Sequence, residues 1–238
     1  MANPVPYVIG FANTASTTSL TVPVTTATTA GDFIFFAAAF GTLSVASPTI
    51  TDSKGNSWTT CSVIASGASS NVTPIAAYYM PTTATTALTT SDHFTLTPGV
   101  NSSMTAIAVG CSSLTYFTGG SPVFDTAPLN TGTSTALDSG GSDSLTHPGI
   151  LFMQAAWGGV IGNTGTVGGG GTQLKQVNQA GTNLAVAYYS YTGSAVTPSY
   201  AISGASWTYQ GQGQDTILPT NFKSASNRQQ AVKTASLW

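Results

Sequence analysis

Short runs of β-branched and aromatic residues follow one another along this chain, each closed off by Gly, Pro, Asn or Asp, with no window of helix formers between them. Val, Ile, Thr, Phe, Tyr and Trp fit a pleated, half-buried surface, whereas Gly, Pro, Asn and Asp supply turns. Such spacing is the mark of an all-β sandwich or barrel. Strands are expected over residues 7–12, 19–24, 33–40, 49–51, 57–64, 74–80, 93–97 and 103–111. A second series follows over 150–157, 172–177, 182–191, 199–202 and 205–210. Pro23 marks 19–24 as an edge strand, because proline cannot donate to a ladder. Residues 33–40 (FIFFAAAF) are too short for a membrane helix, which takes ~20 apolar residues. They read as a buried strand.

The two series echo each other. Residues 31–41 (GDFIFFAAAFG) resemble 148–158 (PGILFMQAAWG), and the run Ala77-Tyr78-Tyr79 resembles Ala187-Tyr188-Tyr189. Two small β-domains or one sandwich with matched halves would each produce this pattern. No Pro-rich or charged linker divides the chain, so the expected organisation is one domain over 1–215, with halves at about 19–115 and 133–210. Residues 216–238 then form a linker and an extended C-terminal arm.

Charge is scarce. Charged residues make up 5% of the chain, with seven Asp, no Glu, and five Lys and Arg, against about 25% in ordinary soluble domains. Residues 1–222 hold all seven Asp and two Lys, while the tail holds Lys223, Arg228 and Lys233 and no acid. Three bases are too few for a nucleic-acid footprint.

Proton transfer and metal binding need clusters of acids, bases or imidazoles, and this chain has two His and dispersed Asp. The Asp52-Ser53-Lys54-Gly55-Asn56-Ser57-Trp58 segment reads as a turn: Gly55 supplies φ > 0, Asp52 bonds nearby amides, and Trp58 anchors the next strand. Calcium would need six to eight oxygens there. Asp138 and Asp143 share a loop without EF-hand spacing. Asp92 and His93 are neighbours and so point to opposite faces of a strand. No Gly-x-Ser-x-Gly elbow occurs. The Gly-rich stretch 162–171 lacks the Lys and following helix of a phosphate loop. The expectation is no enzyme, no cofactor and no metal.

Residues 1–6 have neither the basic nor the apolar region of a signal peptide. In a reducing compartment Cys61 and Cys111 are expected as two buried thiols in separate strands. In a strand, Tyr78-Tyr79 and Tyr188-Tyr189 each place one ring inward and one outward, and the outward rings could stack on sugars or cover a sheet face.

Gly31-Asp32 before an apolar strand, the 52–58 segment, a Tyr-Tyr strand and a Ser/Ala-rich closing strand with Trp207 together resemble a β-sandwich module of phage virion proteins and bacterial surface proteins. The resemblance spans residues ~19–210. It implies a jelly-roll-like antiparallel sandwich and no catalytic residues. The expected role is that of a bacteriophage structural protein, a head-decoration or minor tail component assembled in the host cytoplasm. Its partners would be other virion proteins and further copies of itself, with no nucleic acid and no membrane insertion. Lys223, Arg228, Lys233, Leu237 and Trp238 would form the docking arm. The alternative is a glycan-binding or adhesin-like module using Tyr78, Tyr79, Tyr188 and Tyr189 on a host-surface glycan.

Overall fold

A computed structural model describes residues 5–41, 48–64, 75–80, 86–112, 114–116, 136–138, 149–157, 164–191, 199–202, 213–217 and 222–224. Among them every regular element is a strand and every ladder is antiparallel, so the fold is all-β. The expected strand at 205–210 lies outside the described residues.

The first half contains β1 (Tyr7–Thr17), β2 (Leu20–Pro23), β3 (Phe33–Phe40), β4 (Thr49–Asp52), β5 (Thr59–Ile64), β6 (Ile75–Met80), β7 (His93–Thr97) and β8 (Ser102–Cys111). They form a large sheet, β1-β8-β3-β6-β5, and a small one, β2-β7-β4. The pairings are nested: β1 with β8, β2 with β7, β3 with β6. A long hairpin rolled up so that successive pairs fall in alternate sheets has this order. Pro23 sits at the edge, where its missing N–H costs no ladder bond.

The second half contains β9 (Leu114–Tyr116), β10 (Ala136–Asp138), β11 (Gly149–Trp157), β12 (Gly165–Val167), β13 (Thr172–Gln179), β14 (Thr182–Tyr191), β15 (Ser199–Ile202), β16 (Gly213–Ile217) and β17 (Phe222–Ser224). Its sheets run β13-β14-β11-β16 and β10-β15-β12. Taken in chain order, β10 to β16 occupy the places that β2 to β8 occupy in the first half. The β9–β17 pair stands where β1 and the end of β8 stand. The echo in the sequence is therefore structural: β3 pairs with the Tyr-Tyr strand β6, and β11 with the Tyr-Tyr strand β14. The registers differ by one residue, since Phe36 faces Tyr78 whereas its match Met153 faces Ala187.

The four sheets stack as small, large, large, small. Between the large sheets, Phe33, Phe35, Ile107 and Val109 meet Ile150, Phe152, Leu184 and Val186. Phe35 and Phe152 hold matching places in the echo, and their ring centroids lie 5.4 Å apart. The halves thus present the same face to each other, as subunits do across a twofold axis. Outside this core, Ile34, Phe36 and Phe40 pack on Val22, Phe94 and Leu96, and Met153, Trp157 and Tyr189 pack on Tyr200. This layering explains why β3 is apolar throughout: both of its faces are covered, so the usual alternation disappears.

One residue conflicts with that core. By strand alternation Gln154 faces the first-half sheet, is 0% exposed, and has no hydrogen-bond partner for either Nε2 or Oε1. A buried unsatisfied amide costs about 1–3 kcal/mol. Gln154→Leu, of similar length, is expected to raise stability by about 1–2 kcal/mol, measured as an increase in the urea midpoint at constant slope. A drop instead would mean that the amide is solvated.

The boundary drawn after residue 215 falls inside β16, where Thr216 and Ile217 pair with Met153 and Phe152. Hydrophobic periodicity gave no sign of this, because β16 is five residues of mixed polarity at a sheet edge. Residues 218–221 and 225–238 lie outside the described residues.

Candidate functional site

The acids of the first half serve its turns. Asp52 Oδ1 accepts from Lys54 N (2.8 Å), Asn56 N (3.3 Å) and Asn56 Nδ2 (3.2 Å), and Oδ2 accepts from Trp58 Nε1 (2.8 Å). Gly55 takes φ 71°, as the turn requires. Trp58 then packs edge-on against Phe36 and Phe94. The structural role expected for this segment agrees with these contacts.

Two further Asp close a shared Thr-x-x-Asp turn. Asp32 accepts from Thr29 N and Asp92 from Thr89 N, each at 2.8 Å, while each Asp N–H donates back to the Thr carbonyl. Asp32 also receives the Tyr7 hydroxyl at 2.7 Å. Asp92 receives the hydroxyls of Ser53 and Thr89 and lies 3.5 Å from Lys54 Nζ. The Thr89 amide, then the Ser53 and Thr89 hydroxyls, hold the Asp92 carboxyl far below the usual range. Such a group stabilises the fold fully above its unfolded pKa, near 3.9, and that stability is lost as pH falls toward the folded value. The melting temperature is therefore expected to be flat from pH 7 to about 5 and to fall below about 4. Asp92→Asn should flatten that acid limb. An unchanged limb would assign it to other carboxyls.

Cys111 is a free, buried thiol pushed up to about 12 by burial, with the Asp32 carboxylate adding to the effect. It is inert as a nucleophile. Cys61 lies on β5, three strands away across the sheet from Cys111 on β8. That separation is roughly 14 Å at normal strand spacing, too far for a bridge.

Of the tyrosines expected to face a ligand, Tyr189 is enclosed instead. Tyr189 is 1% exposed, accepts from Ser199 N (3.1 Å) and donates to Gly168 O (3.0 Å). Tyr188 is half-buried against the central core. The expectation assumed one solvent face, but this sheet is covered on both sides. Tyr78 and Tyr79 lie on β6, paired through the backbone with Phe36 and Phe35. Of the expected arm residues, Lys223 pairs with Thr115 in the β9–β17 ladder, and Arg228, Lys233, Leu237 and Trp238 lie outside the described residues. So does His147, while His93 is exposed on the outer face of the small sheet. Among the described residues no three His, Cys, Asp or Glu come together to hold a metal.

A concave site does exist, at residues that carry no motif. A groove of about 570 Å³ runs between β12 and β13, lined by Thr164, Gly165, Gln173, Leu174, Lys175, Gln176 and Asn178. The buried Tyr200 hydroxyl donates to Gln176 Oε1 at 3.0 Å or Gln173 Oε1 at 3.4 Å. Gly165 N also donates to Gln176 Oε1, at 3.0 Å. A Cβ on Gly165 would fall 1.9 Å from the Tyr200 ring, so only glycine lets that ring lie beneath the groove. On the opposite face of β13 from Gln173 and Gln176, Lys175 Nζ sits 3.7 Å from the centroid of Phe11, which is 38% exposed. Among the described residues the lining combines carboxamides, a threonine hydroxyl and the Leu174 side chain.

No protein family, curated protein or solved structure matches this chain.

Proposed function

We propose that this chain is a structural component of a bacteriophage virion, a head-decoration or minor tail protein that acts through assembly contacts. The observation that carries the reading is the nested strand pairing, which we take as a jelly-roll order present in two copies. Jelly rolls build viral shells because two closed sheets present broad faces and few open edges. The spending of Asp32, Asp52 and Asp92 on turns supports the same reading, since it leaves outer faces of low charge that repel like subunits weakly. Residues 225–238, with Arg228, Lys233, Leu237 and Trp238, would be the segment that docks on a neighbour.

The test is incorporation into particles purified on a density gradient, read by quantitative mass spectrometry. The full chain is expected at a fixed ratio to the major shell protein. A chain ending at Ser224 should keep its melting temperature and be missing from the particles. Absence of the full chain, or a ratio that varies between preparations, would overturn the assembly role. Incorporation of the truncated chain at full ratio would overturn the arm.

A further inference from the structure

The outer face of the small sheet β2-β7-β4 carries an ordered patch of hydroxyls. Leu20, Val22, Ile50, Phe94 and Leu96 are buried in the core. By strand alternation, Ser19, Thr21, Thr49, Thr51, Thr95 and Thr97 therefore point outward. The register sets them in two rows. In one, Thr21 faces Thr95 and Thr95 faces Thr51. In the other, Thr97 faces Thr49 on one side, and Ser19, just before the Leu20 partner of Leu96, lies on the other. All six residues are exposed or partly exposed. Among the described residues none of their hydroxyls has a hydrogen-bond partner. Pro23 and His93, paired across β2 and β7, end the face on one side.

The patch is a small lattice. Neighbouring strands lie about 4.8 Å apart, and alternate residues along a strand about 6.8 Å apart. Threonine is β-branched and stiff at χ1. The hydroxyls of the five threonines thus hold nearly fixed places before any ligand arrives, which lowers the entropy cost of binding. Three strands of four or five residues cover only roughly 200 Å², against about 800 Å² per partner in a stable protein interface. No Phe, Tyr or Trp stands among the six to stack on a sugar, and no charge stands among them to pair with an ion. A rigid, uncharged array of hydroxyls and methyls fits a surface that is itself periodic and made of hydrogen-bonding oxygens. Oxygens on a prism face of ice repeat in two perpendicular directions, each within about a tenth of the spacings set by the strands.

We propose that this face binds ice, its hydroxyls taking the places of water oxygens in the outermost layer of the crystal. Such binding needs one chain and no assembled particle, so it stands or falls apart from the virion role.

The experiment holds a single ice crystal just below its melting point in a solution of the full chain. In parallel, ice is grown slowly from the same solution, and the protein in ice and in liquid is compared with serum albumin. The crystal is expected to grow with flat facets, and the chain to enter the ice in excess over albumin. Thr95→Lys sets a long charged side chain at the centre of the array and should weaken ice binding about tenfold. Thr51→Lys, on the neighbouring strand, should act in the same direction. Thr172→Lys, exposed on β13 in the other half, should leave it unchanged. Melting temperatures confirm that each variant is folded. Rounded crystals with no excess of the chain in the ice would overturn the proposal. So would ice binding undiminished in both Thr95→Lys and Thr51→Lys, or an equal loss in Thr172→Lys.

Discussion

Phe152→Ala is expected to destabilise the whole chain by about 3–5 kcal/mol, the range for removing a buried aromatic ring. Phe152 is fully buried and touches Phe33 and Phe35 at centroid distances of 5.7 and 5.4 Å. It belongs to the second half, yet these ring contacts are to the first. A cavity at this point removes contacts that neither half can recover alone. The two halves should therefore continue to unfold together, in one urea transition moved to a lower midpoint with an unchanged slope. Calorimetry would check this by comparing calorimetric with van't Hoff enthalpy. Two transitions, with only the later strands moved, would mean that each half stands on its own and that the ring stack merely glues them.

The same core shows what could be read from the residues in advance. β3, β7, β14 and β15 have the expected bounds because their apolar runs end at turn residues. β9, β10, β12, β16 and β17 were not anticipated. Each has only three to five residues in Gly-, Ser- and Thr-rich stretches, where no period can develop. The duplication showed in β3 and β11, whose matched faces both meet the central core, and in the Tyr-Tyr strands. Elsewhere only strand order preserves it. Tyr189 departs from the expectation because alternation presumes a solvent side. The continuous apolar run from Leu184 to Tyr189 was the available sign that both faces of β14 are covered. The groove was illegible for a different reason. It lies beside the β13 bulge between Gln173 and Lys175, and bulges follow from ladder geometry that residue types do not announce.

Asp52→Ala should cost about 2–3 kcal/mol, the largest effect expected of any polar substitution in the described residues. The carboxylate is buried and takes two backbone amides, one carboxamide and one indole N–H. Bonds to a charged acceptor contribute about 1.5–3 kcal/mol each, and water reaching the half-exposed turn would recover part of that. Trp58→Phe keeps a ring against Phe36 and Phe94 but deletes the N–H, so it should cost about 1 kcal/mol beyond the change in size. In the double variant the two losses should fall short of additivity by about 1 kcal/mol, because the second change removes a bond already gone. Strict additivity would mean that the indole bond adds nothing and that Asp52 acts only on the turn backbone. The second half supplies the comparison. Its equivalent turn, with glycines at residues 168–171, has no carboxylate. There the Tyr189 hydroxyl reaches in from the large sheet to Gly168 O and Ser199 N. Tyr189→Phe should loosen that turn alone, at about 1 kcal/mol, and leave the Asp52 turn unaffected. One turn geometry is thus held by a local acid in the first half and by a distant phenol in the second.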